Sequence, residues 1–411
     1  MQNSKKCIWL INQYASTPET GMGGRQYYLA KALSQQGYLV YVIAGSYSHI
    51  LRHTKKFDGD FLIEDIDDNF KFVWVNLSPY EGAHNKKRII NEFVFAYKIR
   101  KLKSYLHKPD VVLQSSPALP TYFGALSLAK TFKAKFIFEV RDIWPKTLIE
   151  LGGYSPSHPF VRLLQWIEDS AYRHADYAFS NLANAVKHMA SRGLDAKKFH
   201  WIPNGVFLDE VNNKQALTAE ILQQLPKDKF IVGYTGSIGL ANAMKYLIDA
   251  IPHIPSREQM HFILVGEGKE KQSLLEQAQR LGVTNLTFIE PIAKAQIQTM
   301  LEQFDVCYIG WQNKPIYELG IAANKLPEYM YSARPVVHSF SGEGDFVKIA
   351  NAGVSVTAED ATAIAQAIQQ IYDMTPAQRQ QLGENGKQFV LENFDYDKIA
   401  SKMANILFGE K

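Results

Sequence analysis

Cysteine is nearly missing from this chain of 411 residues, with only Cys7 and Cys307 present. Two thiols cannot build a disulfide framework, and neither lies in a Cys-x-x-Cys spacing, so a reducing compartment is expected. Long apolar runs are missing as well. The longest, such as Cys7–Ile11 and Leu39–Ala44, stop far short of the ~20 residues of a spanning helix. The opening Met-Gln-Asn-Ser-Lys-Lys leads into no hydrophobic region of a signal peptide, which points to the cytoplasm. The eleven histidines form no ligand cluster and no His-Glu-x-x-His occurs, so no zinc site is expected. No Gly-x-Ser-x-Gly elbow is present, which removes the commonest hydrolase signal. A net charge of only +4 argues against a general nucleic-acid partner.

Cofactor motifs fail too. Gly21-Met22-Gly23 has Gln26, and Gly266-Glu267-Gly268 has Lys271, where a dinucleotide fingerprint needs its third glycine. No Gly-Lys-Ser/Thr phosphate loop follows a strand, so neither a nicotinamide enzyme nor a nucleotide triphosphatase is supported. The spacing Asp65-Ile66-Asp67 suits a metal, but it sits in the acidic run Glu64–Asp68 between Phe61-Leu62 and Phe70–Val75. That pattern predicts a solvated hairpin turn instead.

What remains is an ordinary globular composition, 46% hydrophobic and 21% charged, in a length suited to two or three domains. The chain reads strand, glycine turn, helix, and starts twice. Cys7–Ile11 is a fully apolar run, followed by Gly21–Gly24 and a helical face of Tyr28, Leu29, Ala32 and Leu33. Phe230–Tyr234 starts the pattern again, with Gly236-Ser237-Ile238-Gly239 and a face of Met244, Leu247, Ile248 and Ile251. Alternation of this kind predicts α/β architecture: two Rossmann-like, doubly wound domains facing a central cleft. The boundary is expected just after Ile202-Pro203-Asn204-Gly205, giving domains 1–207 and 208–390.

Two segments combine charge with small residues. Glu139-Val140-Arg141-Asp142-Ile143-Trp144-Pro145 ends an apolar strand and places three charges together, as an internal ion pair or as a guanidinium and carboxylates for a polar ligand. Gly320-Ile321-Ala322-Ala323-Asn324-Lys325-Leu326-Pro327-Glu328 opens a short helix carrying a base and an acid. A diphosphate would meet the helix start and Lys325, while Glu328 would accept from a diol.

In their order along the chain these segments resemble the two-domain GT-B glycosyltransferases of family four, especially bacterial enzymes of lipopolysaccharide, capsule or colanic-acid assembly. The resemblance runs through Gly23-Gly24-Arg25, Ser115-Ser116-Pro117, Glu139–Pro145 and Ile202–Val206. It continues through Gly233–Gly239, Val265–Gly268, Asn324–Met330 and Arg334–Val337. It implies retaining, metal-free transfer of a sugar from a nucleoside diphosphate, with uridine the expected carrier, to a glycan acceptor that is expected to be lipid-linked. The C-terminal domain would hold the donor and the N-terminal one the acceptor, and residues 391–411 would form a helix returning to the N-terminal domain. Carried over by motif, Arg141, Asp142 and Lys325 are the expected catalytic residues. Gly23, Gly24, Gly236, Ser237, Gly266, Gly320, Ile321, Asn324 and Glu328 are the expected donor-binding ones. The chain departs from the family where Gly320 replaces the usual first Glu, with Glu318 a candidate substitute. Ser237 and Asn242 stand where an Arg and a Lys are usual, which puts more weight on Lys325, with Lys245 behind it.

Between His84 and Lys108 eight Lys or Arg face Glu92 alone, interleaved with apolar residues. Lys98, Arg100, Lys101 and Lys103 are therefore expected to meet an anionic membrane surface, making the enzyme peripheral at the inner face of the cytoplasmic membrane. Two other readings stay open at this point. A nucleotide-sugar 2-epimerase of the same build would use Asp142 and Glu139 as acid and base. A non-catalytic binding partner would account for the missing Glu.

Overall fold

The computed structural model describes residues 5–21, 23–82, 85–322 and 324–409. Met22, His84 and Ala323, which fall in segments noted above, lie outside the described residues. The chain divides into two compact units: residues 1–204 with 396–411, and residues 205–395. The division thus falls a few residues before 207. The return begins at Tyr396 rather than 391, because the helix Pro376–Asn393 runs on past 391.

Unit 1 holds the strands β1 (Cys7–Ile11), β2 (Leu39–Gly45), β3 (Phe61–Asp65), β4 (Phe70–Val75), β5 (Val111–Ser115), β6 (Lys135–Val140), β7 (Tyr177–Ser180) and β8 (Phe199–Trp201). They lie in the order β3-β4-β2-β1-β5-β6-β7-β8. Every pairing is parallel except the β3–β4 hairpin. Continuous apolar runs such as Cys7–Ile11 suit these central positions, since helices cover both faces of a parallel sheet; all five residues of β1 are buried. The hairpin absorbs the acidic run: Asp65 pairs with Lys71, and Asp67 accepts from Ser34 Oγ at 2.8 Å. The last helix, Tyr396–Phe408, packs within this unit on the helix Arg25–Gln35. Tyr396 stacks on Tyr28 at 5.8 Å and Phe408 on Tyr38 at 5.4 Å.

Unit 2 contains β9 (Phe230–Thr235), β10 (Met260–Val265), β11 (Leu286–Ile289), β12 (Val306–Gly310), β13 (Val336–Ser339) and β14 (Gly353–Val356). Their order is β11-β10-β9-β12-β13-β14, all parallel. In each unit the strand order reverses beside the first strand, at β1/β5 and at β9/β12. Ligands of such sheets bind outside the strand C-termini at these reversals.

Candidate functional site

In unit 2 the chain leaves β9 through Gly236 and runs over Lys325. Gly236 has φ 140°, and a Cβ there would lie 2.0 Å from Lys325 Cε, so only glycine allows the lysine to pass beneath the loop. Gly266, after β10, crowds the same loop: its Cβ would fall 2.0 Å from the Gly236 carbonyl oxygen. Lys325 opens the short helix Lys325–Tyr331. Its Nζ donates to Tyr234 Oη at 2.9 Å and to Asn242 Oδ1 at 3.0 Å, and lies 5.1 Å from the centre of the Tyr234 ring. Tyr234 Oη and Asn242 Nδ2 in turn both donate to the Ser237 carbonyl. Burial pushes the Lys325 amine down to about 8, against a small opposing pull from Glu328. Neither of its hydrogen-bond partners is a carboxylate. A desolvated cation held by neutral groups at a strand C-terminus is matched to an anionic ligand.

Glu328 stands one turn further along the same helix and is paired with Lys294, while Gln298 Nε2 donates to its carbonyl at 3.1 Å. Ser237 and Asn324 are exposed at the same edge, whereas Gly320 and Ile321 are buried. Glu318 is exposed on the turn Pro315–Leu319, and Lys245 extends over the ring of Tyr246 at 4.8 Å. Beside β12 and β13, Trp311 Nε1 donates to Nε2 of the wholly buried His338 at 3.1 Å, and His338 Nδ1 lies 2.8 Å from Asp345 Oδ1. His338 thus accepts at Nε2 and donates from Nδ1, the neutral tautomer.

Unit 1 builds a second cluster at the ends of β5 and β6. Gly23 and Gly24 lead into the helix Arg25–Gln35, which points its first two side chains inward. Arg25 Nε donates to Glu139 Oε1 at 2.8 Å, and Gln26 Nε2 donates to Glu139 Oε2 at 2.9 Å. Arg25 also donates to the Pro203 carbonyl. Glu139 is buried. Its burial opposes ionisation, but the Arg25 and Arg141 guanidiniums outweigh that and hold the carboxyl below its usual range. Of the two readings of Glu139 the internal ion pair is the one observed. Arg141 is half-buried and Asp142 exposed. The Ser116 hydroxyl accepts from the Arg141 N–H at 2.9 Å, and Arg141 Nη1 donates to Gln26 Oε1 at 3.3 Å, while its Nε is buried without a partner.

The basic segment forms the helix Lys86–Ile99 and the turn Arg100–Ser104. Lys98 is half-buried and Lys101 exposed, and the two share one acid. Both clasp Asp60, at 3.0 and 2.8 Å, and Lys98 also donates to the Asn76 carbonyl. An acid distant in sequence but adjacent on the sheet edge pairs with them; Arg100, Lys101 and Lys103 are all exposed.

Sequence reasoning missed Gln26, Tyr234, Lys294 and the His338–Trp311 pair. Tyr234, Trp311 and His338 lie at or just past the ends of apolar strands, whereas Gln26 and Lys294 carry no such signal.

Two family models cover most of the chain. Residues 20–210 match the one described as Glycosyltransferase Family 4, and residues 229–374 match Glycosyl transferases group 1. A protein of Escherichia coli (strain K12) named as the colanic acid biosynthesis glycosyl transferase WcaI is 23% identical over 212 residues, 50% of this chain and 52% of that protein. The chain thus matches about half the length of this curated relative. Sucrose-phosphate synthase from Thermosynechococcus elongatus superposes with a TM-score of 0.74 at 19% identity, over 98% of both chains. HepE of Anabaena, solved in complex with UDP-glucose, superposes with a TM-score of 0.67 at 16% identity, over 98% of this chain and 100% of that one.

Proposed function

This chain belongs to the GT-B glycosyltransferases, and from that premise we propose that it moves a sugar from a UDP-linked donor to a lipid-linked glycan acceptor in cell-surface polysaccharide assembly. The observation that carries the donor half is Lys325, a desolvated cation without a carboxylate partner beneath the Gly236 loop. As the glycosidic bond breaks, negative charge grows on the β-phosphate of the leaving nucleotide. A preorganised ammonium at that oxygen stabilises the transition state more than the ground state. Glu328 would take the ribose hydroxyls, exchanging Lys294 for them. No residue in this scheme is a metal ligand, and the developing charge falls to Lys325 and the backbone N–H groups of the loops around Gly236 and Gly320. Transfer would retain configuration by same-face attack, a leaving phosphate oxygen taking the acceptor proton, with Asp142 as the alternative base.

The acceptor half draws support from the helices Lys86–Ile99, Thr121–Phe132 and Pro159–His174 of unit 1. They expose Ile90, Phe93, Tyr97, Phe123, Leu163 and Trp166, with Phe123 and Trp166 in ring contact at 6.0 Å. Lys86, Lys87, Lys130 and Arg162 are exposed on the same helices, whose carboxylates are either buried (Glu92, Glu168) or paired (Asp169 with Arg192). An apolar, cationic face of this kind suits the anionic inner surface of the cytoplasmic membrane. Among the described residues no helix is long and apolar enough to cross a membrane.

Incubating the protein with UDP-sugars, with and without membrane extract as acceptor, tests the proposal. UDP release that rises on adding the extract is expected. UDP release never exceeding that of heat-treated protein would refute it.

A further inference from the structure

Unit 1 contains a cavity of about 100 Å³ that the donor chemistry leaves unused. That is room for several water molecules. Its walls come from Pro117 and Trp144, in the loops after β5 and β6, from Tyr154 and Leu164, and from Arg88 and Glu92 on one face of the helix Lys86–Ile99. Pro117 and Trp144 belong to the same two loops that Ser116 ties together through the N–H groups of Arg141 and Asp142. The cavity therefore lies at the carboxyl edge of the sheet, where the strand order reverses.

Its polar wall is built at a cost. Arg88 and Glu92 are one helical turn apart, a spacing that usually faces water, yet Glu92 is only 6% exposed. Tyr14 Oη donates to Glu92 Oε1 at 2.9 Å and accepts from Arg88 Nε at 2.9 Å. The guanidinium lies 5.5 Å from the Tyr14 ring centre and 6.0 Å from that of Trp144. Burial pushes the Glu92 carboxyl up to about 7, against the pull of Arg88 and Tyr14. Apolar residues of the same size would fill this position at lower cost in stability.

We propose that this cavity receives one edge of a sugar ring of the acceptor, its hydroxyls on Glu92 and Arg88 and its C–H face on Trp144 and, at the open rim, Tyr154. The proposal rests on the glycosyl-transfer reading and names the acceptor side of it. A carboxyl group beside a guanidinium offers both acceptors and donors to neighbouring hydroxyls, the pairing that a polyol needs. Aromatic walls supply the apolar surface that an edge-on polar wall lacks.

The test is saturation-transfer NMR on the full chain without nucleotide, using a panel of methyl hexosides, 6-deoxyhexosides and N-acetylhexosaminides. At least one glycoside should bind, and Glu92→Gln and Trp144→Leu should each weaken it roughly tenfold or more. Tyr154, exposed at the rim, gives a variant, Tyr154→Ala, that leaves the core intact and should also weaken binding. Lys325→Met should lose UDP affinity and keep the glycoside signal, which separates failure of the donor reading from failure of this one. A panel with no binder, or a binder indifferent to both Trp144→Leu and Tyr154→Ala, overturns the proposal.

Discussion

Replacing Lys325 by methionine should make the protein more stable and a poorer enzyme. Burial lowers this amine from 10.5 to about 8, and at 1.36 kcal/mol per pH unit the folded state gives up about 3 kcal/mol to keep it charged at neutral pH. Methionine matches the length of the side chain and removes the charge. The variant loses the hydrogen bonds to Tyr234 and Asn242, worth about 1–2 kcal/mol together. The groups left behind keep their bonds to the Ser237 carbonyl. A net gain of about 1–2 kcal/mol follows, readable as a shifted urea midpoint. The pH dependence has a definite sign. Between about 8 and 10.5 the unfolded chain binds a proton that the folded chain has released, so wild-type stability from this group rises with pH. The advantage of Lys325→Met should therefore be full below pH 8 and fade towards pH 10.5. A bound diphosphate restores the charge, so UDP binding should take up a proton near pH 8.5, and affinity should fall as pH rises further. Calorimetry in buffers of different ionisation enthalpy measures that uptake. A Lys325→Met protein less stable at pH 7, or UDP affinity unchanged from pH 7 to 10, would refute the reasoning.

Glu328→Ala should weaken UDP binding roughly tenfold or more, the loss of a charge-assisted bond, while Lys294→Ala should tighten it up to about fivefold by releasing a partly exposed ion pair; both are read by titration, and weaker binding in the Lys294 variant contradicts an exchange with ribose. Gly236→Ala should abolish donor binding and lower the melting temperature, because its Cβ meets Lys325, whereas Gly239→Ala, with no atom within 4 Å of the added carbon, should leave UDP affinity unchanged. Glu92 keeps its proton up to about pH 7 in the folded chain, whereas an ordinary solvated glutamate releases it at 4.5, so stability should fall by about 3 kcal/mol between those values. A pH series of denaturant curves should show the wild type losing about that much more stability across the window than Glu92→Gln does.

Strand by strand, much of this molecule was legible before any coordinates. Cys7–Ile11 and Phe230–Tyr234 announce buried parallel strands because such runs have no polar face to turn to water, and the glycines after them mark where the chain must bend sharply. Their repetition implies two doubly wound units, and the acidic run at residues 64–68 reads as a hairpin tip from local pattern alone. These features depend on neighbours within a few residues, which is why a linear reading finds them. Charge pairing is different, because it depends on which distant segments the folded sheet brings to one edge. Glu139 read equally as an ion-pair partner or as a ligand group until the turn at Gly24 placed Arg25, 114 residues earlier, against it. Lys98 and Lys101 looked unpaired until the strand Phe61–Asp65 set Asp60 beside them. Glu92 was the lone acid of a basic helix. It became a buried cavity wall because Gly124, whose added Cβ would lie 2.2 Å from the Ala96 carbonyl, lets the helix Thr121–Phe132 approach and turn that face inward. Hydrophobic period sets the elements, whereas only their packing decides which charges lose water, and the chemistry of both clusters depends on that loss.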